Sequence, residues 1–361
     1  VNFDKIINVL GYVINVLSPF IIGALLAFVL NVLIKFIETK IFGKIKEGKV
    51  WKKIKRPLSI TISLILVGLI IYFVMNLTPG NPARAILGTG VPQADIDAYN
   101  HAIGYDLPFL QKFVNYLANM FFHGDFGISY VTKQPVFQEI WPRYIVTMKL
   151  AFTGMIVSTI IGIPLGICAA VKQYSVTDTV SSLISFLLAA VPTFVLGLVL
   201  LFVFSLKLGW LPSYGITDWT GYIMPVLAIS IPIAAQNFRF TKSSMLDAIH
   251  QDYVRTARAK GATEKVVIWK HVLKNALLPV ITQIGMNLGL LLCGAVVAEQ
   301  LFSVQGIGSL IVSRITLKDE PVIIAGTILI SICFTIVMLM VDIIYAFIDP
   351  RIRAKYTKKR G

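Results

Sequence analysis

An all-α protein that crosses a membrane several times is the fold class this chain predicts, and three observations predict it. Its 361 residues are 56% hydrophobic and only 14% charged, where a soluble domain carries about a quarter. Its mean hydropathy is +0.78. Several apolar runs reach the ~20 residues that cross about 30 Å of hydrocarbon as a helix, without the short alternating strands of an outer-membrane barrel. Cys168, Cys293 and Cys333 all sit inside apolar runs. No metal spacing links them, and a disulfide framework is not expected.

Seven spans are predicted, near 6–34, 57–77, 145–171, 179–206, 222–240, 276–303 and 321–348. The first is interrupted by Ser18-Pro19, which suits a kinked, tilted or partly interfacial helix. The chain opens on Val1, leaving room for an upstream piece, and shows no signal-peptide cleavage pattern. Segments 35–56, 172–178, 239–274 and 349–361 hold 24 of the 33 Lys and Arg, against 7 in 78–144, 207–221 and 305–320. The positive-inside rule puts the first set in the cytoplasm, so the formal net charge of +15 is mostly a topology signal. No loop combines a large basic face with stacking aromatics, which excludes nucleic acid as a partner.

The outer segment 78–144 is too long for a connector. It begins Thr78-Pro79-Gly80-Asn81-Pro82, and Leu107, Leu110, Phe113, Val114 and Leu117 then fall at helical spacing, predicting an amphipathic helix over about 107–121. Tyr116, Phe121 and Phe122 suit a membrane interface. Two readings stand open: a helix lying passively on the outer leaflet, or a shaped vestibule that receives a donor protein.

Residues 43–50 (GKIKEGKV) match the spacing of a phosphate-binding loop. Val50 stands where Ser or Thr would hold Mg²⁺, and no strand precedes the motif. With no other nucleotide fingerprint, no cofactor is expected on this chain. Within the spans, Gly162/Gly166 and Gly285/Gly289 form two G-x-x-x-G pairs that permit close helix contact. Pro164, Pro192, Pro225 and Pro232 fall in or near helices and can kink them. Lys149 and Asp342 lie near predicted span ends, and Glu299 lies near the outer end of its span beside Gln300. An intramembrane carboxylate invites a functional reading, here a peptide-amine contact or a gate hydrogen bond; a helix-end cap or interhelical bond fits equally. His101, His123, His250 and His271 show no metal or triad spacing.

Segment 241–275 is the informative one. Asp252 to Lys260 predicts a helix, broken at Gly261 by a flexible or left-handed turn. Thr263 is placed to cap a second helix, with Glu264 favourable in its first turn. Ala257 and Gly261, four apart, leave a small-residue face; Tyr253 suits an anchor, and Arg255, Arg258 and Lys260 suit acidic groups on a partner. A docking surface and a solvated basic loop are the two readings.

The wording RTARAKGA, followed by HVLKNALLPVIT, resembles the coupling-loop motif of ABC importer permease subunits. Arg255-Thr256-Ala257 stand at the motif's Glu-Ala-Ala, Gly261 at its Gly, and Leu278-Pro279 come late. Both departures resemble the oligopeptide, dipeptide and nickel branch. LTPGNPARAILG (77–88), HGDFGISY (123–130), PVFQEI (135–140), AAVPTFVLGLVLLFVF (189–204), LGWLPSYG (208–215), AEQLFSVQGIGSLIVSRITLKDEPVI (298–323) and FIDPRIR (347–353) resemble it too, from about Asn76 to Arg353. The start differs: LSPFIIGALLAFVLNVLIKFIE (17–38) resembles the opening of autoinducer-exporter-type permeases.

The resemblance implies a six-helix permease core with an extra N-terminal helix. It divides the chain into an atypical membrane segment and basic hinge (1–56), the permease domain (57–353, with insert 78–144 and coupling loop 241–275) and a basic tail (354–361). It implies a multi-pass protein of the inner membrane, bathed in membrane lipid, with a cytoplasmic C-terminus. This subunit would pair with a second homologous permease and pass short peptides delivered by an extracytoplasmic binding protein. Two cytoplasmic ATPase subunits would hold the ATP and Mg²⁺ and drive it. On this resemblance the coupling residues are Asp252, Tyr253, Arg255, Thr256, Ala257, Arg258, Ala259, Lys260, Gly261, Ala262, His271 and Asn275, and the path or gate residues Pro192, Thr193, Phe194, Gln236, Glu299 and Gln300. The alternative is a secondary transporter working alone, which should show ionisable pairs at the bilayer midplane. A membrane-embedded hydrolase would need a catalytic group such as H-E-x-x-H, and none is present.

Overall fold

The structure is a computed structural model that describes residues 62, 65–66, 68–75, 81–88, 90–292 and 295–348. The expected span near 6–34, the basic run with residues 43–50, Cys293 and the tail 354–361 lie outside the described residues. Among the described residues the architecture is all-α, with a single antiparallel bridge between Ile128 and Pro135. Four described helices are long and apolar enough to cross a membrane, or five if a bent pair counts as one span. The chain divides into two compact units: residues 1–144 with 307–332, and 145–306 with 333–361.

In the first unit, helix α1 occupies 68–75 and the outer insert is largely helical. Asn81 starts α2 (Pro82–Leu87) by accepting the Ala83 N–H at 2.8 Å, with proline in the first turn where an amide donor is dispensable. Helices α3 (Gln93–Ala102) and α4 (Phe109–Ala118) follow, and a π turn extends α4 to His123. The expected amphipathic helix is there, but its buried face is turned. Phe109, Phe113, Tyr116 and Leu117 pack with Ile71, Tyr72 and Met75 and with Ile323, Ile324 and Ile328, while Leu110 and Val114 stay 68% and 57% exposed. Helical spacing also fits the aromatic stripe, and burying three rings removes more apolar area than burying Leu110 and Val114.

A charged clasp closes this unit. Arg314, on α13 (Ile307–Leu317), pairs with Glu139, in the first turn of α5 (Val136–Val171), and lies 3.7 Å from Asp319. Asp319 accepts from the Ser129 hydroxyl at 2.5 Å and the Tyr130 N–H at 2.9 Å. Asp319 is wholly buried, and burial pushes its carboxyl above the usual range against the pull of those donors and Arg314.

In the second unit α8 (Ile223–Ile249) is the central helix. It packs with α5, α6 (Val176–Ala190), α7 (Thr193–Leu200) and α11 (Leu273–Leu292). The core gathers Leu150 and Met155 of α5, Met224 and Ile229 of α8, Leu291 and Leu292 of α11, and Val337 and Val341 of α14 (Glu320–Ile348). Both G-x-x-x-G pairs are spent inside this unit. A Cβ at Gly162 would meet the Ala234 carbonyl oxygen at 2.5 Å and one at Gly166 the Phe238 carbonyl oxygen at 2.7 Å; Gly285 and Gly289 face Val341 and Phe334. Because Gly162 and Gly166 abut backbone, no side chain can swing aside. Gly162→Ala should therefore cost about 1–3 kcal/mol and lower the thermal midpoint of the detergent-purified protein. An unchanged midpoint would mean that the two helices do not approach this closely.

α5 begins at Val136, upstream of the expected span start at 145, and Lys149 is exposed on it. One sequence expectation is corrected. The expected span 179–206 is two helices, Val176–Ala190 and Thr193–Lys207, bent by 99°. Val191 is extended (φ −77°, ψ 123°) because the ring of Pro192 disfavours helical geometry in the residue before it.

Candidate functional site

The basic segment after α8 is built by local rules. His250 ends α8 and the extended Gln251 turns the chain into α9 (Asp252–Ala259), with Asp252 at the favourable end of the dipole. Val254 and Ala257, three apart, share one face and bury it. They meet Met245 and Ala248 of α8, Ile167 and Ala170 of α5, and Val267, Ile268 and Val272 beyond the turn.

The end of α9 is closed by two backbone bonds. The Gly261 N–H donates to the Arg258 carbonyl at 2.9 Å and the Ala262 N–H to the Ala257 carbonyl at 3.2 Å. This closure requires a left-handed residue after the cap, and Gly261 supplies it at φ +81°. A Cβ at Gly261 would touch nothing within 4 Å, so the glycine answers to backbone angle rather than to crowding. Ala262 packs onto the same apolar cluster. Thr263 then holds the cap position of α10 (Glu264–Val266), but its side chain makes no capping bond. A π turn (Val267–Val272) continues the helix into α11.

The exposed face is selective. Arg258 grips Glu264 with a two-pronged contact, Nε to Oε1 at 2.7 Å and Nη2 to Oε2 at 3.2 Å. This ties the two helices across the turn, and the carboxylate raises the Arg258 pKa. Arg258 is thus engaged within the chain. Arg255 reaches only Asp252, at 4.0 Å, and remains 75% exposed. Tyr253, Thr256, Ala259, Lys260 and Gly261 are also exposed. His271 is half-buried, its carbonyl accepting from the exposed Asn275 at 3.0 Å. The expected face shared by Ala257 and Gly261 does not form: Ala257 turns into the cluster while Gly261 points out, because the left-handed turn ends the helical period between them. Sequence reasoning missed Trp269 and Val266, which are 58% and 42% exposed. An aromatic set inside a basic run was the available signal.

The path residues are spread over several elements. Pro192 is the break itself, Thr193 begins α7, and Phe194 is exposed beside it. Gln236 lies on the open side of α8. Glu299, on α12 (Val296–Leu301), is wholly buried and accepts from the Thr147 hydroxyl at 2.6 Å. Gly306 backs directly onto its carboxyl group, where a Cβ would fall 2.2 Å from Cδ. The Thr147 contact joins two helices, so an interhelical hydrogen bond is among the readings of Glu299 that the structure contains. Gln300 is exposed.

Residues 162–354 match the family described as binding-protein-dependent transport system inner membrane component, and residues 52–151 match its N-terminal counterpart. The glutathione transport system permease protein GsiC of Escherichia coli strain K12 is 40% identical over 305 residues, covering 84% of this chain and 98% of that one. The protein of the same name from Shigella dysenteriae serotype 1 matches to the same extent. Among solved structures, an inward-facing MetNI methionine ABC transporter chain aligns with 59% of this chain and 97% of its own, at 16% identity and a TM-score of 0.49. With family matches over residues 52–151 and 162–354 and 40% identity over 305 residues, this chain belongs to the binding-protein-dependent inner-membrane components, the permease subunits of ABC importers.

Proposed function

We propose that this permease forms, with a second homologous permease, a path for short peptides, and that α9 and its left-handed turn are where ATPase subunits push. The observation that carries the coupling reading is the division of α9 into two faces. Val254 and Ala257 anchor it to α5, α8 and the π turn, while Tyr253, Arg255 and Lys260 project outward without a carboxylate within hydrogen-bonding reach among the described residues. A helix rooted in this way transmits a push to the spans it is rooted in. ATP and Mg²⁺ belong to the two ATPases and this chain binds neither; an extracytoplasmic protein delivers the solute. The peptide reading is supported by the relatives named for glutathione, itself a tripeptide, at 40% identity.

The test is purification in mild detergent followed by transport with the binding protein and a panel of di- to pentapeptides, a nickel chelate and haem. Co-isolation of two ATPases and a second permease, with peptide uptake, is the expected result. A lone chain that transports with an ion gradient would select the secondary-transporter reading instead.

A further inference from the structure

The second unit carries a concave groove of about 680 Å³ laid along the open side of α8. α6 supplies Ser182 and Phe186, α8 supplies Gln236, Arg239 and Lys242, and α11 supplies Gln283. The opposite side of α8 is closed by Gly162 and Gly166 of α5, so the groove is where this central helix faces outward.

The charges in the groove are unequal. Lys242 is committed: it pairs with Asp178 and also reaches the Ser182 hydroxyl at 3.0 Å. Arg239 has no carboxylate partner among the described residues. Its guanidinium lies over the Phe186 ring, 5.9 Å from the centroid, a contact that orients the guanidinium without neutralising it. Arg239 is exposed at the rim of the groove, so its guanidinium is open to an acceptor from outside the chain. Its planar fork fits a carboxylate with two parallel hydrogen bonds. Neutral amides flank it from two helices. Gln236 makes no hydrogen bond within the described chain, and Gln283 uses its NH₂ group on Asn287 at 3.3 Å, leaving its carbonyl oxygen to accept. One forked cation with an amide donor and an amide acceptor beside it matches the end of a peptide: a carboxylate followed by a C=O and an N–H.

We infer that this groove is a carboxylate station on the translocation path, with Arg239 gripping the C-terminal carboxylate of the passing peptide and Gln236 and Gln283 holding its last peptide group. The inference rests on the peptide reading above and adds the chemical end by which the peptide is held. A single forked contact suits a path, because a transported solute must bind and also leave.

The test compares free-acid peptides with their C-terminal amides in the reconstituted complex with its binding protein. Wild type should favour the acid. Arg239→Gln should lower acid uptake roughly 10- to 100-fold, as expected for losing a charge-assisted contact, and bring the acid-to-amide ratio near one. Arg239→Lys, which keeps the charge but loses the fork, should fall between. The ratio is read within each variant, so a change in protein amount does not move it. An Arg239→Gln ratio equal to that of wild type overturns the carboxylate station and leaves the peptide reading standing. A wild-type complex that moves no peptide overturns both. An Arg239 effect that appears only in vesicles containing anionic lipid, and equally for acid and amide, assigns the groove to lipid and also overturns the inference.

Discussion

Gly261→Val is expected to abolish transport and to reduce the ATPase subunits recovered with the permease at least ~10-fold, while insertion into the membrane continues. The closure of α9 needs φ near +81° at this residue, where a β-branched side chain costs about 1–3 kcal/mol. Nothing within 4 Å competes for the space, so the loss acts through the backbone. Relief of the strain breaks the Gly261 and Ala262 bonds to Arg258 and Ala257 and separates Arg258 from Glu264. The outward residues of α9 then no longer hold a fixed position relative to the spans. Gly261→Asn is the informative companion, because asparagine tolerates the left-handed region. It should keep most of the transport that valine loses. Equal uptake in the valine variant and wild type would remove the turn from the coupling account.

Arg314→Ala should destabilise the protein by about 3–5 kcal/mol, because it leaves two carboxylates facing each other without their cation. Glu139 is 12% exposed and Asp319 not at all. The loss should depend on pH with a definite sign. Asp319 has a folded pKa raised above its ordinary value. A raised pKa stabilises the fold below the unfolded value, and that contribution is lost as pH rises through the folded value. Removing Arg314 takes away one of the groups holding Asp319 down, so its pKa rises further. The deficit of the variant is therefore largest at neutral pH and shrinks as the medium is acidified toward the ordinary carboxylate range. Thermal midpoints of wild type and variant at neutral and mildly acidic pH check this. A deficit that is constant or grows on acidification would show that the clasp is not ionic.

The parts of the site readable from sequence were those set by neighbouring residues. Gly261 announced a left-handed cap, and Asp252 to Lys260 announced a helix, because both depend on a few adjacent φ/ψ choices. The spans near 145–171, 222–240, 276–303 and 321–348 were legible for the same reason, since a run of about twenty apolar residues specifies a membrane helix wherever it packs. What escaped depends on partners far along the chain. Helical spacing in 107–121 fits two faces, and contact with Ile71 and Ile324 chose the aromatic one. The bond from Thr147 to Glu299 joins residues 152 apart in the chain, which no local pattern announces. The pairing of Arg258 with Glu264, six residues away across a turn, depends on how the turn folds back. The size of the bend at Pro192 likewise follows from packing, because proline fixes where a helix can break and leaves the angle open.

The central claim is that this permease is moved by ATP hydrolysed elsewhere and has no energy source of its own. Solute accumulation in sealed vesicles tests it most directly, comparing the chain alone with the chain joined by its second permease, its ATPases and the loaded binding protein. The complete set should concentrate peptide only when ATP is supplied on the ATPase side, and the lone chain should only equilibrate. Uphill accumulation by the lone chain, with no nucleotide present, would contradict the account.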